Sequence, residues 1–528
     1  MNIQMTKSIK FYLYTATFII LILVFQLNIL RTTSDFQFKT YRDGSEALVL
    51  GKIVADKNDI ATPHSNLGFL EKDVNQKGPG VLSVYERFNN PLGLSTLNVS
   101  DQYWTHGFSN NQSAFVLPVA NTNVIGYMPD ELKLGEKIEF LHGDVREVTA
   151  TDRQGNFLNV SYSGPRIDGS ASEWPNTIKP THPPTLLFDP YPQQFGIQGL
   201  ALSLVHKSIP VFNSVFSLQL IMSAALALTL IALSMQLSRS ISPLFGMIFL
   251  ITMIGSPWIV AFARNLYWAS FLWFLPAVFA AAIFNYIDHA QKRRFFYAMY
   301  FIAIMLKCLA GYEYITSVVL LSLLPFMIAP FKATQKKQVV DSIKHLICIG
   351  ITSLLAFISA LIVHAANRAG SITQGLMQTF SQDALKYSSV VEVNGFNRIG
   401  PDTPLLQILK EYVFDWSTPV LFWVTMPGFF VCLIAVSIGS LLFQYSINDK
   451  FRFRDTALLF AASLSPLSWF ILMQRHAAIH INLDYVLWYF GFLPAVLFVI
   501  IRSGKIAISI FVQRVTPNKK TPIDCENQ

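Results

Sequence analysis

The chain has 528 residues, of which 52% are hydrophobic and only 14% charged, with 43 Phe and a mean hydropathy of +0.41. Soluble domains carry about 25% charged residues, so this composition excludes an ordinary soluble globule and points to an α-helical polytopic membrane protein. The net charge of +8 and pI of about 9.1 would suggest nucleic acid for a soluble chain; in a membrane protein the excess Lys and Arg belong in loops that stay inside, and no nucleic-acid partner is expected.

The first apolar run, 11–30, follows Lys7 and Lys10 as a signal peptide would. It is longer than a typical signal core and "LNILRTTSDF" offers no small-residue cleavage site, so a retained anchor is expected. Next comes "YRDGSEALVLGKI", where Asp43 and Glu46 open a predicted helix. Asp-x-x-Glu before an apolar run can be a capping box, with Asp43 at N-cap and Glu46 at N3. Either carboxylate can also serve as general base towards an acceptor hydroxyl. Asp56 and Asp59 read as a solvated helix end.

Residues 31–211 are long enough for a small mixed α/β domain inserted after the first helix. "KIEFLHG" at 137–143, then "REVTAT" and "NFLNVSY" joined by "DRQG", predict a β-hairpin. "DQYWTHGF" and "FDPYPQQFGIQG" mix aromatics with amides, which suits carbohydrate faces and also an ordinary packed loop. The loop has no cysteine; Cys308, Cys348 and Cys432 lie in apolar runs. An exported loop without disulfides favours a bacterial inner membrane over a secretory lumen.

A spanning helix needs about 20 mostly apolar residues. Candidates after the first are 213–237, 241–262, 266–286, 295–312, 314–331, 342–364, 417–444, 456–473 and 483–501, which makes about ten transmembrane helices. The runs 295–312 and 314–331 are close enough to be a broken hairpin or a re-entrant pair. With the N-terminus inside, Arg239, "QKRR" at 291–294, "FKATQKK" at 331–337, "KFRFR" at 450–454, Arg502 and Lys505 all fall inside, as the positive-inside rule requires. The expected organisation is 1–30 with the anchor, 31–211 outside, 212–365 with spans two to seven, 366–416 as a second outer loop, 417–501 with spans eight to ten, and a cytoplasmic tail, 502–528.

Ionisable residues in or beside spans cost about 2.5–3.5 kcal/mol at the membrane centre and mark function by default. On the outer side lie Arg264 and Asn265 in "FARNLYWASFLWFLP", Glu313 in "CLAGYEYIT", and Arg475, His476 and His480 in "RHAAIHINLD"; Lys307 sits nearer the outer end of its span. Arg forks onto phosphate oxygens, so Arg475 with the two histidines suits a phosphate; satisfied helix ends are the other explanation. His476, His480 and Asp484, at i, i+4 and i+8, would share a face of a continuous helix and could hold a metal. Lys307 can neutralise a phosphate or pair with Glu313. Tyr267, Trp268 and Trp273 can stack on sugar rings or form an interfacial aromatic belt. No Gly-rich phosphate loop, G-x-S-x-G elbow or pair of matching halves is present.

This layout resembles the GT-C superfamily of membrane glycosyltransferases, over most of the chain and by arrangement more than by a tight motif. "YRDGSEALVLGKI" matches the place of the family's early acidic residue on a helix lying along the membrane; here Asp-Gly-Ser-Glu stands where many members carry Asp-Asp or Asp-Glu. "PWIVAFARNLYWASFLWFLP", "KCLAGYEYIT" and "SWFILMQRHAAIHINLDYVLW" are similar to outer segments of bacterial members. The resemblance implies a sugar carried on a polyprenyl phosphate and transferred with inversion to a glycan or protein acceptor at the outer face. It implies Asp43 or Glu46 as the base. Arg475, His476, His480, Lys307 and Arg264 would hold the donor phosphate, and Asn265, Tyr267, Trp268, Tyr312 and Glu313 would contact sugar or acceptor. Membrane lipids are the other partners. No cofactor is required, and a divalent metal is compatible with the layout. A polymerase or ligase of lipid-linked glycans, and a non-enzymatic transporter or sensor, are the alternatives.

Overall fold

The computed structural model describes residues 7–34, 38, 45–71, 103–104, 107–108, 114–118, 134–140, 144–154, 157–164, 177–180, 187–384, 404–415, 419–422, 424 and 428–515. Among these the protein is mostly helical. In chain order the helices are α1 (Lys7–Leu27), α2 (Glu46–Lys57), α3 (Ile197–Ser208), α4 (Val215–Ser240), α5 (Pro243–Ile254), α6 (Pro257–Phe262), α7 (Phe271–Asn285), α8 (Ala290–Ala310) and α9 (Ile315–Ile328). They continue as α10 (Lys336–Ala369), α11 (Ile372–Gln378), α12 (Leu405–Lys410), α13 (Phe429–Ser446), α14 (Arg452–Leu472), α15 (Gln474–Ile479), α16 (Ile481–Asp484) and α17 (Phe492–Val515).

Five described helices, α4, α10, α13, α14 and α17, are long and apolar enough to cross a membrane, and shorter apolar helices accompany them. α10 turns Ile343, Ile347, Ile351, Leu354, Ile358 and Ile362 outward in one exposed stripe. Such a stripe would be a liability in water and is the expected surface in a bilayer, so the protein is a helical membrane protein.

Several helices differ from the continuous runs that hydropathy suggests. The run 241–262 is two helices, broken at "GSP": Pro257 lacks an amide proton and Ser256 Oγ accepts from Ile259 N at 3.0 Å, so a new helix starts there. Within the run 417–444 the described helix is Phe429–Ser446. The run 483–501 opens with α16 and a 3₁₀ turn over Tyr485–Tyr489 before α17. The helix proposed through His476, His480 and Asp484 is interrupted at His480, between α15 and α16.

Polar side chains tie helices together where no water is available. Ser317 Oγ donates to Ser465 O at 2.7 Å and Ser465 Oγ returns a bond to Ser317 O at 2.9 Å, joining α9 to α14. Tyr300 bonds Ser353 at 2.7 Å between α8 and α10, and Ser223 donates to Gln26 at 2.8 Å between α4 and α1.

The two ends of this bundle are chemically unlike. At one end the basic loops gather: Lys332 Nζ donates to Ser240 O and Ile241 O at 3.0 and 2.8 Å, capping α4. There Arg454 and Arg502 both grip the buried Asp455, and Arg502 also reaches Asp449 at 2.7 Å. At the other end the amides, aromatics and histidines converge.

The expected hairpin is present. The strand Val145–Gln154 pairs antiparallel with the strand Phe157–Tyr162, Gln154 facing Phe157. These strands are the centre of a seven-stranded antiparallel sheet. A second, two-stranded sheet pairs Gly68–Glu71 with Leu187–Pro190, and that pairing delivers the chain to the site.

The predicted capping box is not what starts α2. The helix begins at Glu46 with Ser45 as N-cap and no side-chain cap bond; Asp43 lies outside the described residues. Every residue from Glu46 to Ala55 is buried, with α3 packed against the helix, so α2 offers no free face to a bilayer. Instead α3 exposes Leu200 and Leu204. Asp56 is not simply solvated: it pairs with Lys52 at 2.7 Å and accepts from Ser203 Oγ.

Candidate functional site

The segment after the two-stranded sheet is held residue by residue. Tyr191 N donates to Leu67 O at 2.7 Å, Ser65 Oγ donates to Tyr191 O at 2.7 Å, and Asn66 Nδ2 donates to Phe195 O at 3.0 Å. Gly196 then takes φ +77°, where a Cβ would meet Leu67 Cγ at 2.4 Å, and its amide bonds Leu309 O at 3.0 Å. Only glycine tolerates both demands. This path aims Gln194 into the helix bundle. Its amide donates to the Tyr267 hydroxyl at 2.7 Å and to the Glu313 carboxylate. Gln198, the second residue of α3, donates to Tyr267 O and Ala310 O, each at 3.0 Å.

Glu313 lies in the turn "GYEY" between α8 and α9. Lys307 Nζ donates to Gly311 O at 2.6 Å, closing the end of α8. Lys307 is within electrostatic reach of Glu313, but no salt bridge joins them among the described contacts; of the two roles open to Lys307, phosphate ligand or partner of Glu313, the ion pair is not formed, and the ammonium caps α8. A Cβ on Gly311 would meet Glu313 Oε2 at 2.2 Å, which shows how closely the carboxylate folds over that glycine. Tyr312 Oη bonds His364 Nδ1 at 3.1 Å, and His364 Nε2 bonds Pro192 O at 3.0 Å. Because a carbonyl only accepts, His364 carries its proton on Nε2 and the Tyr312 hydroxyl donates to Nδ1.

Asp484 is wholly buried and gathers three donors: Tyr314 Oη at 2.9 Å, Trp469 Nε1 at 3.2 Å and His476 Nδ1 at 2.9 Å. Its two oxygens are thus committed to tyrosine, indole and imidazole rather than to a site shared with His480. The His480 ring centroid lies 4.5 Å from that of His476. Both histidines lie between α14 and α17, outside the long helices. Burial disfavours charge on His476, yet Asp484 outweighs it and the net effect is upward; burial and the neighbouring His476 push His480 down to about 4.

Gln194, Tyr312, Glu313, Trp469 and His476 among these groups border one cavity of about 330 Å³, while Asp484, His480, His364 and Lys307 stand outside its lining. Gln194, Tyr312, Glu313, Thr316 and His476 form its polar part; Phe357, Leu361, Leu472, Met473 and Phe380 form apolar walls. Leu472 and Phe380 are also exposed on the outside of the bundle, so the apolar walls lead to its surface.

Of the residues singled out in the sequence, Tyr312, Glu313 and His476 line this cavity, and Tyr267 reaches it through Gln194. Trp268 and Tyr267 are buried, as is Trp273; Trp268 stacks on Tyr314 with centroids 5.9 Å apart and planes 9° apart. Packed this way, these rings form neither an open sugar platform nor an interfacial belt. Arg264 donates to Gln26 O and Phe38 O at 3.2 and 3.3 Å and lies over the Phe38 ring, anchoring α1. Asn265 Oδ1 accepts from Tyr267 N and Trp268 N and shapes the turn before α7. Glu46 accepts from Gln219 Nε2 at 3.0 Å and Leu266 N at 3.2 Å and is not part of the cavity lining. Arg475 is buried beside His476.

His364, Trp469 and Gln194 are not among the residues that the sequence singles out individually. A histidine inside the apolar run "LIVHAAN" was the available signal for the first; Gln194 sat in the flagged stretch 188–199. No protein-family model matches the chain, and comparison with curated proteins and with solved structures finds no match.

Proposed function

We propose that the protein is a multi-pass glycosyltransferase of a bacterial inner membrane, with about ten spans and both ends cytoplasmic, that moves a sugar from a polyprenyl phosphate to an acceptor hydroxyl at the outer face. The observation that carries this reading is the cavity: apolar walls lead to the surface of the bundle, and a carboxylate, an imidazole and an amide meet at its inner part. A polyprenyl chain needs such walls, and the polar part matches what sugar transfer requires. As the glycosidic bond breaks, negative charge grows on the departing phosphate, and preorganised donors and cations stabilise it there. His476, with Arg475 next to it, is suited to that task. A carboxylate takes the acceptor proton as the new bond forms. Glu313 borders the cavity; Asp43 is the base that the resemblance to GT-C enzymes implies. The segregation of basic loops at the opposite end of the bundle supports placing the cavity away from the cytoplasm.

The test is transfer by purified protein in nanodiscs, supplied with monophosphate-linked and diphosphate-linked polyprenyl sugars and a hydroxyl acceptor. Transfer from the monophosphate donor that disappears in Glu313→Gln or Asp43→Asn, with folding retained, supports the reading and names the base. Transfer only from diphosphate-linked oligosaccharide assigns a polymerase or ligase instead. No glycosidic bond from either donor sinks the enzyme reading.

A further inference from the structure

Asp484 does more than fill a polar gap. It is wholly buried, and its three donors come from three separate stretches: Tyr314 at the start of α9, Trp469 near the end of α14, and His476 in α15. An indole and a phenol each supply one proton and no positive charge. Among those three donors His476 alone can carry a compensating charge. A buried carboxylate next to an imidazole favours the imidazolium. The same bond fixes the ring: Nδ1 faces Asp484, so Nε2 lies on the opposite edge of a residue that lines the cavity.

We propose that Asp484 is the positioning residue for His476, holding the imidazole by Nδ1 so that its positive charge meets the phosphate of a polyprenyl-linked ligand in the cavity. This rests on the cavity being a lipid-phosphate site, as argued above. The groups facing His476 fit the assignment. Glu313 stands on the same cavity, Tyr314 and Trp469 pack edge-on against the ring, and His480 lies behind it with its own charge suppressed by burial and by His476. Tyr412 sits within electrostatic reach of Asp484 and donates its hydroxyl to Ala477 O at 2.9 Å, pinning α15 from the other side. The His476 cation is therefore built in by Asp484, through the Nδ1 bond of 2.9 Å.

The experiment measures binding of undecaprenyl phosphate and of undecaprenol to the full chain in nanodiscs, for the wild type, Asp484→Asn and His476→Gln. Asparagine keeps an acceptor for Tyr314 while removing the charge, and glutamine keeps a donor for Asp484 while removing the cation. The wild type is expected to prefer the phosphate, and each folded variant to lose about tenfold of that preference while binding the alcohol as before. A purely structural role would weaken both lipids together. A folded variant of either kind that keeps the full preference overturns the role of this pair and leaves the cavity reading standing. A wild type that binds phosphate and alcohol equally overturns the cavity reading, and this assignment with it.

Discussion

Tyr314 donates its hydroxyl to Asp484 at 2.9 Å, joining positions 170 residues apart at the polar end of the bundle. The Tyr314 ring also stacks on Trp268 and packs against Trp273, Trp469 and Phe490. One side chain thus connects the turn before α7, the turn before α9 and the segment between α14 and α17.

Removing that hydroxyl in Tyr314→Phe leaves one Asp484 oxygen without its donor but keeps every ring contact. The expected cost is about 1–3 kcal/mol, read as a lower unfolding midpoint in detergent. An unchanged midpoint would mean that the bond is not formed in the membrane-extracted protein.

Gly311 has extended backbone that any residue can adopt, so Gly311→Ala acts through its Cβ, which would meet Glu313 Oε2 at 2.2 Å and, beside it, Gln194 Oε1 at 3.2 Å. The alanine should push the carboxylate off its position and lower transfer by about ten- to a hundredfold, with little change in unfolding temperature. Full activity in that variant would separate Glu313 from the chemistry.

Glu46 holds Gln219 and Leu266 N from within the core. Glu46→Gln keeps an acceptor oxygen for these donors, so transfer should survive. Glu46→Ala leaves buried donors unmet and should cost about 1–3 kcal/mol of stability. Loss of transfer in a folded Glu46→Gln protein would restore Glu46 as a base.

Acid should weaken the fold through His480. Its folded-state value is held down, at about 4, while the unfolded chain takes up a proton near 6.5. This contribution is complete above about pH 6.5 and is lost as pH falls towards about 4. His476 has the opposite sign: its folded value is raised, so its contribution is full below about 6.5 and fades as pH climbs through the folded value. Thermal unfolding from pH 7 to 4 should therefore show a fall in midpoint that shrinks in His480→Asn. An equal fall in both proteins would assign the acid sensitivity elsewhere.

The reciprocal serine pair offers a check on interhelical bonding. Ser317→Ala and Ser465→Ala each delete one of two bonds between α9 and α14. Each should cost about 0.6 kcal/mol, the average for such bonds in membrane proteins, measured by unfolding in mixed micelles.

Much of the architecture was legible in order along the chain. Apolar runs marked the helices, alternation marked the hairpin of Val145–Gln154 with Phe157–Tyr162, and Lys and Arg marked the end of the bundle where they meet around Asp455 and the end of α4. Breaks were harder: "GSP" splits one run and His480 interrupts another, because a cap or a backbone turn changes direction without changing hydropathy. The site was legible in part. Glu313, Tyr312 and His476 stood out as polar residues near span ends, whereas Arg264, Asn265 and Lys307 stood out equally and serve backbone carbonyls and amides in their described bonds. Charge in an apolar setting reveals that a partner exists; it does not say whether that partner is a substrate or a nearby peptide group.

What the sequence determined by itself was the solvent of the protein and the chemical difference between its two ends. A bilayer sorts apolar length and loop charge residue by residue, and both can be read in one dimension. Only the tertiary structure decided that Gln194, Glu313, His364, His476 and Asp484 share one end of one cavity or its immediate support. That meeting depends on how α9 packs against α14 and how the 187–196 segment is pinned beside them, which are contacts between distant segments that no local pattern encodes.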